Sequence, residues 1–85
     1  MIDPERLARA LWLRVERLGK GRFRVVGGHE PHTVALEDGA FSCDCEDFVL
    51  RATTDCKHVL ALRIRRGDPD VIAALRKVPR ESVAA

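Results

Sequence analysis

Cys43, Cys45, Cys56 and His58 form a C-x-C, ten-residue gap, C-x-H pattern that uses every cysteine of the chain. Three thiolates and one imidazole are ligands that zinc favours in tetrahedral geometry, and a Cys₃His set is typical of structural sites. With all four positions filled by protein, no position is left for a substrate or a metal-bound water. The pattern therefore predicts one structural Zn²⁺, a binding module rather than an enzyme, and no catalytic residues. A one-residue spacer at the end of a strand lets the chain turn so that both sulfurs meet one ion. Cys56 and His58 at a helix N-terminus would sit where free N–H groups and the positive end of the helix dipole favour thiolate. Three thiolates around Zn²⁺ leave a formal charge of −1, so backbone donors to sulfur are expected. The second ring nitrogen of His58 needs a carbonyl, carboxylate or water. Two other readings compete. Buried free cysteines are common in cores, but the polar spacers Asp44 and Lys57 count against that here. A two-iron cluster can use the same donors, yet the wider last pair and Asp-Gly step of such sites are missing.

These ligands need elements to hold them. Asp3-Pro4 is a helix start, with Asp3 as N-cap and Pro4 at the first position. Leu7, Leu11, Val15 and Leu18 recur at helical spacing and Gly19 suits a C-terminal stop, which predicts a helix over about 4–18. Arg22 to Val26 alternates as a strand with Phe23 and Val25 inward, and Thr33 to Leu36 forms a second. Asp38-Gly39 matches a two-residue type I′ turn, so a third strand is expected from Ala40 to Cys43. A helical turn around Phe48 follows over 46–52. Cys56 to Arg66 reads as a helix with Asp55 as N-cap and Val59, Leu60 and Ile64 buried. Asp68-Pro69 opens a last helix over about 69–78, ended by Pro79, with frayed residues beyond. Trp12, Phe23, Phe41 and Phe48 are expected in the core. The fold class is α+β: a small zinc-stabilised ββα-like core at about 22–66, flanked by one helix on each side, in a single domain over residues 1–85.

Eighty-five residues carry one modest core, and chains of this size often depend on a metal or disulfides. Three cysteines cannot all pair within one chain, which disfavours a disulfide framework. The first residues carry Asp3, Glu5 and Arg6 rather than a long apolar run, so no secretory leader is expected, and no segment approaches the ~20 apolar residues of a membrane span. A reducing cytoplasm is the expected compartment. The net charge is +2, unevenly placed: +1 over residues 1–42, −2 over 43–58 and +3 over 59–85. The ligand loop is thus acidic and the last third basic.

The residues Ser42-Cys43-Asp44-Cys45-Glu46-Asp47-Phe48 and Cys56-Lys57-His58-Val59-Leu60-Ala61-Leu62 resemble the SWIM zinc-finger family, whose signature is C-x-C, a variable gap and C-x-H. The strand pair and Asp-Gly turn before them also fit that family's ββα arrangement, over roughly residues 22–66. The resemblance implies zinc at Cys43, Cys45, Cys56 and His58 and a role in binding DNA or proteins. Such modules usually sit inside chromatin-remodelling ATPases, transposases and ubiquitin ligases.

The remaining candidates are weighed against plainer roles. His29 and His32 flank Glu30-Pro31 and read as solvent-exposed loop histidines rather than a second metal site. Glu46 and Asp47 read as solvating carboxylates rather than acid–base groups. Oxidation of the thiolates with metal release is chemically possible. Arg22, Arg24, Arg63, Arg65 and Arg66 are the candidate phosphate contacts, since the arginine fork suits phosphate oxygens. Without aromatic residues interleaved, a stacking platform for single strands is not expected. The acidic ligand loop would repel phosphates. Two partner classes follow, DNA or a protein docked by an adaptor without DNA contact, with no small-molecule substrate and no membrane.

Overall fold

The computed structural model describes residues 2–51 and 56–79. Its elements run α1 (Pro4–Ala10), β1 (Arg14–Gly19), β2 (Arg22–Val26), β3 (His32–Glu37), β4 (Ala40–Cys43), α2 (Glu46–Arg51), α3 (Lys57–Arg65) and α4 (Pro69–Leu75). The strands form one antiparallel sheet in the order β1-β2-β3-β4. This is the expected α+β class, with four strands in place of three.

Alternation along the strands gives the sheet two unlike faces. Register pairs Val15 with Val25, Phe23 with Val34 and Leu36 with Phe41, so these share one face with Cys43. α3 lies against this face and touches all four strands, while α1 and α4 pack on α3. Sandwiched between layers, α3 buries the whole run His58, Val59, Leu60, Ala61 and Leu62 rather than a single stripe. Leu7, Leu13, Val25, Val34 and Val71 complete the core.

Local chemistry fixes the ends. Asp3 caps α1 by accepting from the Glu5 N–H at 2.9 Å, and Asp68 caps α4 by accepting from Asp70 and Val71. Asp38 and Gly39 both have positive φ (50° and 79°), as the type I′ turn between β3 and β4 requires.

The expected helix over 4–18 is corrected. It ends at Ala10, and the 3₁₀-type bonds Trp12 N–H to Arg9 carbonyl (3.2 Å) and Leu13 N–H to Ala10 carbonyl (3.1 Å) close it. Residues 14–19 are instead β1, paired along β2 with a register shift between Arg17 and Gly19. Gly19, read as a helix stop, opens the Gly19-Lys20-Gly21 turn of a hairpin. Gly21 has φ 69°, and a Cβ there would stand 2.7 Å from the Leu36 carbonyl oxygen, so only glycine fits. The strand wins because β2 gains a second hydrogen-bonded neighbour, while Leu13 and Val15 still reach the core. Trp12 is corrected too: it is 59% exposed, not core. Phe23, Phe41 and Phe48 are partly buried against the core as expected. The third helix stops at Leu75 rather than near 78. Cys56, not Asp55, is the N-cap of α3. Asp55 and residues 80–85 lie outside the described residues.

Candidate metal centre

Cys43 ends β4, Cys45 immediately precedes α2, Cys56 caps α3 and His58 lies in its first turn. All four side chains are buried, and one ligand atom from each falls within 4.8 Å of the other three. Bonds of about 2.3 Å to sulfur in tetrahedral geometry give sulfur–sulfur edges of about 3.8 Å. The cluster is therefore within about 1 Å of a loaded site. Its donors fit a metal in a second way. Among the described residues His58 Nδ1 is buried with no hydrogen-bond partner, a costly state for an imidazole in a core unless a ligand satisfies the ring. All three cysteines are free thiols.

Each sulfur is positioned by backbone. The Phe48 N–H donates to Cys45 Sγ at 3.4 Å and the Val59 N–H to Cys56 Sγ at 3.5 Å, the donors that a site of net negative charge calls for. The thiols also act on one another. Hydrogen bonding from Cys43 pulls the Cys56 thiol down to about 4, against the opposing effect of its burial. Cys43 is pushed up by the same bond and by burial, and Cys45 chiefly by burial. The metal-free cluster thus concentrates one thiolate at Cys56, and a divalent ion would displace the protons of the other two.

The spacer of the C-x-C step is itself anchored. Asp44 Oδ1 accepts from the Thr33 N–H at 3.1 Å and lies 2.9 Å from His32 Nδ1, while the Asp44 N–H donates to the Thr33 carbonyl at 3.3 Å. Tying Asp44 to β3 leaves the two flanking sulfurs to project toward α3. His32 then lies against the ligand His58, ring centroids 4.5 Å apart and tilted by 51°. His32 is therefore not an exposed loop histidine. It opens β3, with a side chain only 19% exposed. It reaches the site through strand register, because Val34 pairs with Cys43 across β3 and β4. In the sequence its only trace is the carboxylate it meets, Asp44.

A second tie crosses from α1. Arg6 donates through Nε to Asp47 Oδ2 at 2.9 Å and through Nη2 to Asp47 Oδ1 at 3.1 Å, and through Nη1 to Asp3 at 2.9 Å. The bidentate fork holds α1 to α2 and raises the Arg6 pKa, chiefly through the Asp47 bond. Asp47, read as a solvating carboxylate, is thus a structural contact. Arg6, Arg9 and Lys57 line a cleft of about 290 Å³ with Cys45, Cys56 and His58. Asp47 lines the same cleft and, with Asp3, takes up the charge of Arg6, which leaves Arg9 and Lys57 to offset the −1 that three thiolates and a divalent ion would carry.

The candidate phosphate contacts divide. Arg63 Nε is bonded to Asp68 at 2.9 Å and Arg65 Nη2 to the Leu13 carbonyl at 3.4 Å, so both hold α3 to its neighbours. Arg66 is the exposed C-cap of α3. Arg22 and Arg24 lie exposed on the helix-free face of the sheet. Among the described residues no helix is long and apolar enough to cross a membrane.

The fold and site define a small α+β domain with a buried Cys₃His cluster able to hold one metal ion. No family model matches the chain, and neither does any curated protein or solved structure.

Proposed function

We propose that the ion is zinc, that its role is structural, and that the domain is a non-enzymatic SWIM-type module that binds nucleic acid. The buried Cys₃His cluster carries this reading: four protein donor atoms lie within 4.8 Å of one another, enough to complete a tetrahedral shell without a substrate or water. Free thiols suit a reducing compartment such as the cytoplasm. Nucleic acid is favoured by Arg22, Arg24 and Arg66, which stand clear of the structural ion pairs. Metal analysis of the purified chain should return one zinc per molecule. Affinity for labelled DNA and RNA probes should fall steeply as salt rises. Absence of zinc, or of binding to every probe at low salt, would overturn the corresponding half of the proposal.

A protein adaptor is the second reading, and one observation favours it. Val49 and Leu50 are 65% and 75% exposed on α2, within the acidic ligand loop. An apolar pair among carboxylates suits a protein partner with a basic-rimmed apolar groove. The adaptor reading gains if probes fail to bind and Val49→Ser with Leu50→Ser abolishes a stoichiometric protein complex.

A further inference from the structure

The exposed sheet face changes what kind of nucleic acid the domain suits. Pairing places Arg14 opposite Val26, Glu16 opposite Arg24, Arg24 opposite Thr33, Arg22 opposite Ala35 and Ala35 opposite Ser42, so these residues share the face away from α3. Arg14 and Arg24 are diagonal neighbours, about 7–8 Å apart. Arg22 is two residues along β2 from Arg24, about 6.6 Å further on. The side chains of Arg14, Arg22 and Arg24 make no hydrogen bond or ion pair with another described residue. Glu16 and Glu37 are the acidic groups of this face. On β3 and β4 the outward residues other than Glu37 are small (Thr33, Ala35, Ala40 and Ser42), so little bulk stands between a passing chain and the arginines.

Just before β1, two residues ahead of Arg14, stands the chain's only tryptophan. Leu13 turns into the core, and its neighbours Trp12 and Arg14 both face solvent. Leu11, 37% exposed, adds apolar area beside it. A large aromatic ring left 59% exposed two residues before Arg14, with Arg22 and Arg24 further along the sheet and all three arginines without a partner among the described residues, is the combination that binds an unpaired base and its phosphates. A duplex hides its base faces in the stack and offers the ring nothing to stack on.

The geometry points to the outer sheet face as a single-strand nucleic-acid site, with Trp12 stacking on one base and Arg14, Arg24 and Arg22 holding the adjacent phosphates. This rests on the nucleic-acid reading above and adds the strandedness and the surface. Charge complementarity selects the occupant, since three guanidiniums without a partner among the described residues face outward here against two carboxylates, Glu16 and Glu37.

The test uses the zinc-loaded chain and an oligothymidylate. With one tryptophan and no tyrosine, intrinsic fluorescence reports on Trp12 alone. Titration should quench that emission saturably, and a duplex of equal length should bind more weakly. Trp12→Ala, read by anisotropy of a labelled strand, should weaken binding by about five- to 150-fold. Trp12→Phe should restore much of it. Arg24→Ala should lower the salt slope by about 0.7 per lost phosphate contact. Zinc content and far-ultraviolet circular dichroism, unchanged in each variant, exclude misfolding. Binding without quenching, duplex preference, or full affinity in Trp12→Ala would overturn the inference and leave the nucleic-acid reading standing. Failure of every probe to bind would remove both.

Discussion

The two sides of the sheet are built on opposite terms. On the inner side, Cys43, Val34, Val25 and the buried face of α3 pack together, and among the described residues the one buried side-chain nitrogen or oxygen without a hydrogen-bond partner is His58 Nδ1. On the outer side Arg14, Arg22 and Arg24 are exposed and make no hydrogen bond or ion pair with another described residue, and Trp12 is exposed just before β1. On the proposed reading, the difference separates two roles, holding the fold together and binding a partner. The inner side holds the chain together, and the outer side is free to change without cost to the fold. A substitution should therefore move stability or binding according to its side, and each experiment below can break that division.

The largest effect is expected from removing the proposed zinc. Structural zinc in small domains contributes apparent binding energies of about 10–16 kcal/mol, comparable to or above the 5–15 kcal/mol stability of typical proteins. Cys56→Ser removes one of the four candidate donors and the cap of α3, whose thiol is held low by the Cys43 hydrogen bond. We expect loss of zinc by native mass spectrometry and loss of the cooperative thermal transition. The same collapse should follow strong chelation of the wild-type chain. A zinc-free chain that melts at the wild-type temperature would show that the apolar core suffices.

His32→Ala comes next. Its ring lies between Asp44 and His58 without being one of the four ligands, and outer groups of this kind change metal affinity by about 10–100-fold. Competition against a chromophoric chelator would measure this. A change confined to melting temperature, with zinc affinity intact, would place His32 with the packing rather than with the site.

How much of this was legible in the sequence depends on whether the signal was local. Cys43, Cys45, Cys56 and His58 lie in two short pairs, and the Asp3-Pro4 and Asp68-Pro69 caps are complete within a few residues, so spacing and type sufficed. Residues 11–19 misled because Leu11, Val15 and Leu18 match a helical period, whereas the strand depends on β2 being there to pair with. The Gly19-Lys20-Gly21 turn was the local clue that favoured a hairpin. His32 and Arg6 were beyond reach for the same reason: their partners Asp44 and Asp47 are brought close only by register and by helix packing.

A smaller effect is expected at Asp68, away from both faces. Asp68 caps α4 and accepts from Arg63, and that bond holds its carboxyl below the usual range. Since the folded pKa is the lower one, the stabilisation is present above the unfolded value near 4 and is lost as pH falls through the folded value. Asp68→Ala should cost about 1 kcal/mol in denaturant unfolding near neutral pH, and less in acid where the wild type has already lost the contact. An equal cost at all pH values would attribute the effect to packing.

The smallest effect on stability is the most informative for the comparison. Arg24→Ala removes an exposed side chain with no partner among the described residues, and such changes usually stay within about 0.5 kcal/mol. Its cross-strand neighbour Glu16 would lose a nearby cation, a contribution of the same small size. Denaturant midpoint and zinc affinity should thus match the wild type, while oligonucleotide affinity falls. If Arg24→Ala instead lowers the midpoint by more than about 1 kcal/mol of stability, the outer face takes part in holding the sheet. Its arginines would then be part of the fold, and the division between a holding side and a binding side would fail at its simplest point.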